Sequence, residues 1–315
     1  HLGRGGHGAC ACDAARGACS PKKSHSVLFR SAADAFAFID REAASVSVTR
    51  SCRVFGVSRA GFYAWRRRRP SHHTEQDRTL SASIRTLFRT HHGAYGSPRI
   101  RAALAGEGVH VAQKRVARLM RIAGLRARVS RIYKANPGVH RFFGQHPNRI
   151  RGLTVTARDR VWVGDVTYLR VGARWWYFAV ILDQHSRRVL AWSLSARRDA
   201  QLTSSVLTAA FRRRRPAPGF IFHSDRGIEY SATAFRDCLR WFGGEQSSAL
   251  TGPGDNAHME SFFHTLKTER LHGQRFATVE PLRRELANYV RYYNGQRLHS
   301  ALGYRSPITY ESACA

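Results

Sequence analysis

The spacing of apolar residues divides the chain into an N-terminal part with a helical period and a C-terminal part that mixes strands and helices. Before residue 126, apolar residues recur at intervals of three and four, as they do along one face of a helix. From residue 160 onward, runs of β-branched and aromatic residues bounded by glycine, serine and aspartate predict strands. We therefore expect an α/β domain preceded by all-α segments.

The first helix-turn-helix segment is predicted at residues 31–70. Gly56 separates two short helices within it, and Ser58 is placed to cap the second. Phe62 would pack inward, whereas the basic side chains at the end of the second helix would face DNA phosphate; these are Arg66, Arg67, Arg68 and Arg69. A surface helix that ends in a solvated run of charges is the alternative for the same residues.

A second helical segment that resembles a helix-turn-helix is predicted at residues 71–125, with a linker at residues 70–73. Ser97 is expected to cap one of its helices, with Pro98 at the first helical position. The last helix ends at Gly124 and has an apolar face made of Val116, Leu119, Met120 and Ile122. Its basic side chains are expected to contact DNA, and we select Lys114, Arg115 and Arg118.

Two stretches have no apolar period. Residues 1–30 are rich in glycine, alanine, arginine and serine, which predicts a flexible leader. Residues 126–154 are basic and interrupted by glycine and proline, which predicts an extended linker that could lie along DNA. A zinc site in the leader is the alternative suggested by His7, Cys10, Cys12 and Cys19, but these residues have no C-x-x-C pair and no matching second half.

The α/β domain is predicted at residues 155–272. The runs RVWVGDVTYLRV, WWYFAVILD and RVLAWSLS predict three meandering strands. A helix capped by Asp199, the strand GFIFHSD, another helix, the short strand EQSS and a last helix follow. Residues 273–315 predict a helical segment whose long helix is capped by Thr278. Its tyrosines are expected to pack rather than to stack on bases; they are Tyr289, Tyr292 and Tyr293.

The net charge strengthens the DNA-binding interpretation of the helical segments. The chain has 315 residues, with 52 Lys and Arg against 21 Asp and Glu, a formal net charge of +31. Residues 1–150 hold 28 basic and 7 acidic residues, so most of the surplus lies in the N-terminal half. Arginine outnumbers lysine, and its guanidinium suits phosphate and guanine edges. No run of about eighteen apolar residues and no signal-peptide pattern occurs, so neither a membrane helix nor secretion is expected.

Three carboxylates occupy positions that could converge in the α/β domain. Asp165 lies in the middle of a predicted strand, Asp225 closes another strand, and Glu260 is one turn into the helix after the loop GPGD. The carboxyl end of a parallel strand opens onto a crevice, and a helix can hold a third ligand there. Clustered carboxylates stay ionised when cations neutralise them, and hard oxygen ligands suit Mg²⁺ or Mn²⁺. Two such ions could support displacement at a phosphodiester.

Each carboxylate also has a structural alternative. An aspartate at a strand end often forms a turn, and a glutamate on a helix is usually solvated. On the last helix of the domain, an apolar stripe is formed by Met259, Phe262, Phe263 and Leu266. The neighbouring stripe holds Glu260, His264 and Lys267, which places Glu260 between core and cleft. Glu229 lies near Asp225 in sequence and is expected to face solvent, and Arg187 and Arg188 are either turn cations or DNA contacts.

Several long motifs, in order, resemble the insertion-sequence-three family of transposases. The catalytic part of that resemblance is carried by WVGDVTYL, LDQHSRRVLAWSLS, FHSDRGIEYSATAF and DNAHMESFFHTLKTE. Further matches to the family's second-reading-frame product are CRVFGVSRAGFYAWRRR, HHGAYGSPRIRAAL and YVRYYNGQRLHSALGYRSPITYE. The similarity extends over about residues 35–311.

The resemblance implies a fold and a set of site residues. The fold is a ribonuclease-H-like mixed five-stranded sheet with flanking helices, as in retroviral integrases. The catalytic and metal-binding residues would be Asp165, Asp225 and Glu260, with two Mg²⁺ or Mn²⁺ ions. Lys267 matches a basic position expected to contact the terminal DNA, and Asp183 is either structural or site-supporting. The motif positions that flank the site are His223, Arg226 and Asn256, the last two as DNA contacts, with His264 in support.

The resemblance also implies a reaction and partners. Family members cut donor DNA to leave a 3′-OH and join that end to a new phosphodiester, without a covalent protein–DNA intermediate and without ATP. Double-stranded DNA from element ends and target would be the partner. The expected assembly is a homo-oligomer on DNA, at the bacterial nucleoid in the cytoplasm. The chain begins at His1 and lacks a leucine heptad, so it looks like the second-frame half or a fragment, with a first-frame product or fusion as a further partner.

One departure from the family keeps a second function open. Residues 226–259 give 34 positions between Asp225 and Glu260, where the family usually has 35. The shorter loop and absent methionine favour a weakly active or inactive DNA-binding fragment that represses transposition. A generic nuclease of the same fold is a third hypothesis. Metal-dependent cleavage and joining of DNA would separate them, whereas salt dependence would not.

Overall fold

The structure is a computed structural model that describes residues 29, 31–44, 46–68, 71–128, 146–249 and 256–314. Nearly all of the predicted leader, including the zinc alternative, lies outside the described residues. So do Arg69, most of the predicted linker and the loop GPGD. The chain divides into two compact units between Gln76 and Asp77.

Residues 31–68 form three short helices, of which the last two are the pair predicted on either side of Gly56. They are α1 (Ala32–Glu42), α2 (Val48–Val54) and α3 (Arg59–Arg67). Gly56 has a φ of 56°, a left-handed conformation that ends α2, and the Ser58 hydroxyl accepts a hydrogen bond from the backbone N–H of Gly61. Phe62 is fully buried with Ile39 and Cys52, so the basic end of α3 is held by a small apolar core.

The three helices that follow have bounds that differ from the predictions. They are α4 (His72–Thr90), α5 (Ser97–Gly106) and α6 (Gln113–Ile122). Helix α4 already starts at His72, inside the predicted linker, and Gly96 rather than Ser97 is the N-cap of α5. Ile122 was expected on the apolar face, but it is 71% exposed. Ile122 is the last residue of α6 and lies outside the buried stripe, which is formed by Val116, Leu119 and Met120.

A mixed five-stranded sheet forms the centre of the second unit, as the sequence predicts. Its strands are β1 (Val161–Val171), β2 (Arg174–Asp183), β3 (Val189–Ser195), β4 (Ile221–Ser224) and β5 (Glu245–Ser248). The order across the sheet is β3-β2-β1-β4-β5. The β1–β2 and β2–β3 pairs are antiparallel, and the β1–β4 and β4–β5 pairs are parallel.

Helices cover both faces of this sheet. Further along the chain they are α7 (Ala200–Arg214), α8 (Ile228–Ser231), α9 (Thr233–Trp241), α10 (Ala257–Leu266), α11 (Val279–Gly295) and α12 (Pro307–Ala313). A π-helical turn, Lys267–Leu271, continues α10, and a 3-10 turn spans Ser300–Leu302. Helices α10 and α11 pack in one core with Val161 and Val163 of β1, whereas α7 and α9 pack in the other core with Trp162. Successive side chains of β1 therefore point into two hydrophobic layers, one on each face of the sheet.

The C-terminal tyrosines confirm the packing interpretation. Tyr289 and Tyr293 are buried at 1% and 4% exposure in the core beside α10. The hydroxyl of Tyr292 is 3.2 Å from Nδ1 of His91 in the second helical segment. None of the helices in the described residues is long and apolar enough to span a membrane.

Candidate active site

Asp165 and Asp225 come together because of the pairing between β1 and β4. Gly164 is opposite Ser224 in this parallel pair, so the residue that follows each lies at the same point of the sheet. Oδ1 of Asp165 accepts a hydrogen bond of 2.7 Å from the N–H of Val166, and Oδ1 of Asp225 accepts one of 3.0 Å from Gly227. Burial raises the pKa of Asp165 well above its usual value, and the charge of Asp225 raises it further.

Gly164 permits the close strand packing beside these carboxylates. A Cβ atom at this position would lie 2.5 Å from Cζ of Phe222, a ring that is fully buried. A larger residue would therefore push β1 away from the strand that carries Asp225. The close packing therefore explains why glycine occupies this position in VGDVTY, which the strand pattern alone did not indicate.

Asn256 attaches the start of α10 to the strand that carries Asp165. Its Nδ2 atom donates a hydrogen bond of 3.2 Å to the carbonyl of Gly164, and the side chain is buried. The N–H of Glu260 donates to the carbonyl of Asn256, at 3.1 Å, so Glu260 is one helical turn from this attachment. We expected Asn256 to contact DNA; its position instead suits it to orient α10 against β1.

Lys267 places the polar stripe of α10 over β1. Its Nζ atom lies 5.3 Å from the centre of the Tyr168 ring. Burial lowers the pKa of Lys267, and the charge of Asp165 opposes that effect. Glu260 is on the same stripe and is exposed. The stripe therefore faces the side of β1 that carries Asp165.

The structure brings two members of the predicted triad into one group. Within the described ranges, no three His, Cys, Asp or Glu side chains are already close enough to hold a metal ion. Asp165 and Asp225 are neighbours by strand register and by charge, whereas Glu260 on α10 does not complete a metal-holding group with them among the described residues. The carboxylates nevertheless fit a hard divalent cation, because they supply oxygen ligands and an excess of negative charge.

Glu229 is a fourth carboxylate at this site, and the expectation that it faces solvent was wrong. It is 2% exposed, and its Oε1 atom accepts hydrogen bonds of 3.0 and 2.8 Å from Nε and Nη2 of Arg198. Its charge contributes to the raised pKa of Asp165, and Arg198 acts in the opposite direction. The sequence pattern missed this residue because Glu229 lies on the short helix α8, which the pattern did not predict.

The remaining supporting residues lie behind or beside the carboxylates. His223 is fully buried, with Nδ1 2.9 Å from the hydroxyl of Ser247 on β5. Nε of Arg226 donates to the carbonyl of Ala249 at 2.8 Å. His264 is partly buried on α10. Asp183 is fully buried at the end of β2 and accepts hydrogen bonds from Ser186 and from the N–H of Asp159, which is a structural set of contacts.

The candidate DNA contacts fall into two groups. Arg66, Arg67, Arg68 and Lys114 are exposed, and Nε of Arg66 is 3.2 Å from the carboxylate of Asp40. On α6, Arg115 and Arg118 both bind the carboxylate of Asp77, at 2.8 and 2.5 Å. These two arginines therefore stabilise the contact between α6 and α4 as well as adding positive charge. Arg188 forms an ion pair with Glu311, which favours its role as a turn cation.

We expect Asp165→Asn to raise the thermal stability of the metal-free protein. The folded state holds the Asp165 proton more tightly than the unfolded state, whose carboxyl has a pKa of about 3.9. Stability is therefore lost as the pH rises above that value towards the folded pKa, and asparagine removes the loss. A gain of about 1 kcal/mol in the free energy of unfolding would raise Tm by about 2–4 °C, which differential scanning calorimetry at pH 7 can measure.

Asp237→Asn is the matched control, because Asp237 is exposed and pairs with Arg240 on the same helix. The gain at Asp165 should also shrink between pH 7 and pH 4, since the wild-type carboxyl takes up a proton there. An unchanged or lower Tm for Asp165→Asn at pH 7 would contradict the electrostatic interpretation.

Comparison with known proteins gives consistent matches along the chain. Two family models described as integrase core domain match residues 155–252 and 260–313, and a model described as HTH-like domain matches residues 75–133. The transposase for insertion sequence element IS904 from Lactococcus lactis subsp. lactis (strain IL1403) is 36% identical over 247 residues, 78% of this chain and 98% of that protein. Transposase InsF for insertion sequence IS3A from Escherichia coli (strain K12) is 35% identical over 284 residues, 88% of this chain and 98% of that protein.

Solved structures are more distant in sequence. The HTLV-2 integrase catalytic core domain in complex with magnesium is 16% identical, with a TM-score of 0.39, and the match covers 49% of this chain and 97% of that chain. The first integrase core match spans all five strands. The ribonuclease-H-like class predicted from the sequence is therefore confirmed for the sheet.

Proposed function

Because the chain belongs to the insertion-sequence-three family of transposases, we propose that it cuts DNA at its element's ends and joins the 3′-OH to target DNA. The family membership rests on 35–36% identity to transposases over most of their length. It makes the chain a polynucleotidyl transferase in general terms. We propose, beyond this general activity, the cleavage and joining steps, the metal ions and the residues that catalyse the reaction.

The adjacency of Asp165 and Asp225 is the observation that carries the proposal. Two carboxylates that face each other across β1 and β4 repel, and the raised pKa of Asp165 reflects this together with burial. Such a pair is suited to Mg²⁺ or Mn²⁺, with Glu260 as the third ligand. When bound, two ions would activate the attacking oxygen and stabilise the leaving oxygen of an in-line displacement.

The chain's own residues would orient this site. Asn256 would hold the first turn of α10 against Gly164, so that Glu260 approaches Asp165 and Asp225 from the exposed side. Lys267, two stripe positions beyond Glu260, would contact a phosphate of the terminal DNA. Arg198 would balance the charge of the buried Glu229 and keep the excess of negative charge centred on the two aspartates.

DNA would be held by the basic helical segments as well as by the catalytic domain. The HTH-like match supports DNA binding by the segment that contains α4 to α6. The exposed residues at the end of α3 and on α6 would contact phosphates and position the duplex. Joining two element ends requires at least two active sites in one assembly, so we include a homo-oligomer on DNA, at the nucleoid, in the proposal. A first-frame product or fusion is a further partner.

A strand-joining assay tests the proposed function. The chain is incubated with labelled duplex that carries the element's end and with unlabelled target DNA, in Mg²⁺ or Mn²⁺, with EDTA as the negative control. The expected products are a cut donor end with a free 3′-OH and a longer species in which that end is joined to target. Cleavage without joining would favour a generic nuclease. Tight binding without cleavage in either metal would favour the repressor fragment and would reject the proposal.

A further inference from the structure

A cavity lies against a face of α10 that does not carry Glu260. It has a volume of about 120 Å³ and is bounded by α5, the turn after β2, α10 and the segment that follows α11. Helix α10 contributes His258, Ser261 and Thr265, which are spaced at three and seven residues and so share one face. Glu260 projects from another face of the same helix. A ligand in this cavity would therefore touch the helix of the active site without occupying that site.

Three guanidinium groups give the cavity a positive charge. Arg297 forms a buried ion pair with Glu269, and Arg99 lies 3.7 Å from the same carboxylate. For Arg187, no ion-pair partner is found in the described part of the chain, and its φ of 61° keeps it in the left-handed region. Asp183 also borders the cavity, but its oxygens already accept hydrogen bonds from Ser186 and Asp159. The positive charge is therefore only partly balanced.

Two histidines present unused ring nitrogens in the same cavity. Nδ1 of His258 and Nε2 of His299 are buried and have no hydrogen-bond partner among the described residues. His299 is only 5% exposed, so this nitrogen has no direct access to bulk water. Burial, together with the charge of Arg187, lowers the pKa of His258 to about 4. Burial, together with the charges of Arg297 and Arg187, lowers the pKa of His299 to about 3. Neutral rings at pH 7 can each offer one N–H donor.

We propose that this cavity binds a phosphate group. A cation would be repelled by the guanidinium groups, and water would satisfy the histidines but leave the positive charge unbalanced. A tetrahedral oxyanion offers several acceptor oxygens and negative charge at once, which matches donors from arginine, histidine and the Ser261 hydroxyl. The same chemistry has two sources, a free phosphate ion and a phosphodiester of the DNA backbone. Only the second source rests on the proposed function.

Isothermal titration calorimetry of the full chain with inorganic phosphate, at constant ionic strength set with chloride, tests the site. The wild-type protein should bind phosphate saturably. Arg187→Gln keeps a long polar side chain but removes the charge, and it should weaken binding about tenfold or more. Arg174→Gln is the matched control, because it removes the same charge from an exposed position at the β1–β2 turn. It should leave phosphate affinity unchanged.

Two further measurements keep the test decisive. Ser261→Asp places a carboxylate at the exposed edge of the cavity and should abolish phosphate binding even if Arg187→Gln does not fold. Isotope-labelled histidine rings should show that His258 and His299 shift on titration with phosphate in the wild-type protein. Absence of saturable binding, unmoved histidine signals, or equal weakening by Arg174→Gln would overturn the proposal.

Competition then identifies the source of the phosphate. Displacement of inorganic phosphate from the two histidines by a duplex with the element's end would assign the cavity to the DNA backbone. Retention of phosphate when the duplex is bound would assign it to the free ion. Both results keep the phosphate site, and neither depends on strand joining. Failure of the joining assay and failure of the phosphate site are therefore distinguishable.

Discussion

Glu260→Gln is expected to reduce cleavage and joining of DNA by about 10³-fold or more while leaving DNA binding intact. Glutamine has nearly the same shape but no charge, and only one of its two terminal atoms can bind a cation. Glu260 is exposed on the stripe of α10 that faces Asp165, so the substitution lies outside the hydrophobic core. The effect should appear in the rate of 3′-end formation on labelled donor duplex in Mg²⁺.

Glu107→Gln serves as the control for this prediction. Glu107 is an exposed glutamate next to the end of α5, and it lies outside the catalytic domain. Both variants should retain the wild-type affinity in a mobility-shift assay, because neither removes a basic side chain. Cleavage by Glu260→Gln within tenfold of the wild-type rate would remove Glu260 from the triad. A parallel loss of DNA binding would indicate instead that α10 is misplaced.

The positions of the predicted triad explain how far sequence reasoning could go. Asp165 and Asp225 were identifiable because each is a charged residue in or directly after a buried strand, where an unpaired charge is costly. The strand register that brings them together follows from the parallel pairing of β1 and β4. Glu260 was identifiable from its place beside an apolar stripe and from the family resemblance. The sequence offered no signal for Asn256 as the attachment of α10 to β1, because that contact joins residues 92 positions apart.

Buried charges were the main source of error and omission. Glu229 was expected in solvent because a glutamate in an unassigned turn is usually solvated. Its partner, Arg198, lies 31 positions away, before α7, and no local pattern links the two. The ion pair between Glu269 and Arg297 was not predicted for the same reason. Periodicity reports which residues share a face, whereas the pairing of buried charges depends on how separate elements meet.

Glu269 is the centre of a polar network that joins three parts of the second unit. It lies in the π-helical turn after α10, and its oxygens accept hydrogen bonds of 2.9 and 2.8 Å from Nε and Nη2 of Arg297. Arg99 of α5 approaches the same carboxylate, and Nη1 of Arg128 donates to the Glu269 carbonyl at 3.2 Å. Burial lowers the pKa of Arg297, but the hydrogen bonds and charge of Glu269 outweigh burial and raise it above its usual value.

Glu269→Gln is therefore expected to destabilise the protein by about 3–5 kcal/mol, because it leaves the guanidinium of Arg297 buried without its counter-charge. The side chains of Arg297 and Glu269 are only 6% and 9% exposed, so water cannot replace the lost partner. The free energy of unfolding, measured by urea denaturation, gives the size of the effect. The substitution should also loosen the position of Lys267, which begins the same π-helical turn.

A double-mutant cycle distinguishes charge pairing from packing as the cause. Replacing both partners, as Glu269→Met with Arg297→Met, removes the buried charges together and should cost less than the sum of the single changes. The surface pair of Asp237 and Arg240 is the matched comparison, because their side chains are 57% and 76% exposed. Asp237→Asn should cost less than about 1 kcal/mol. A Glu269→Gln cost in that same small range would mean that Arg99 and Arg297 find other partners, and that the network does not fix the π-helical turn beside the active site.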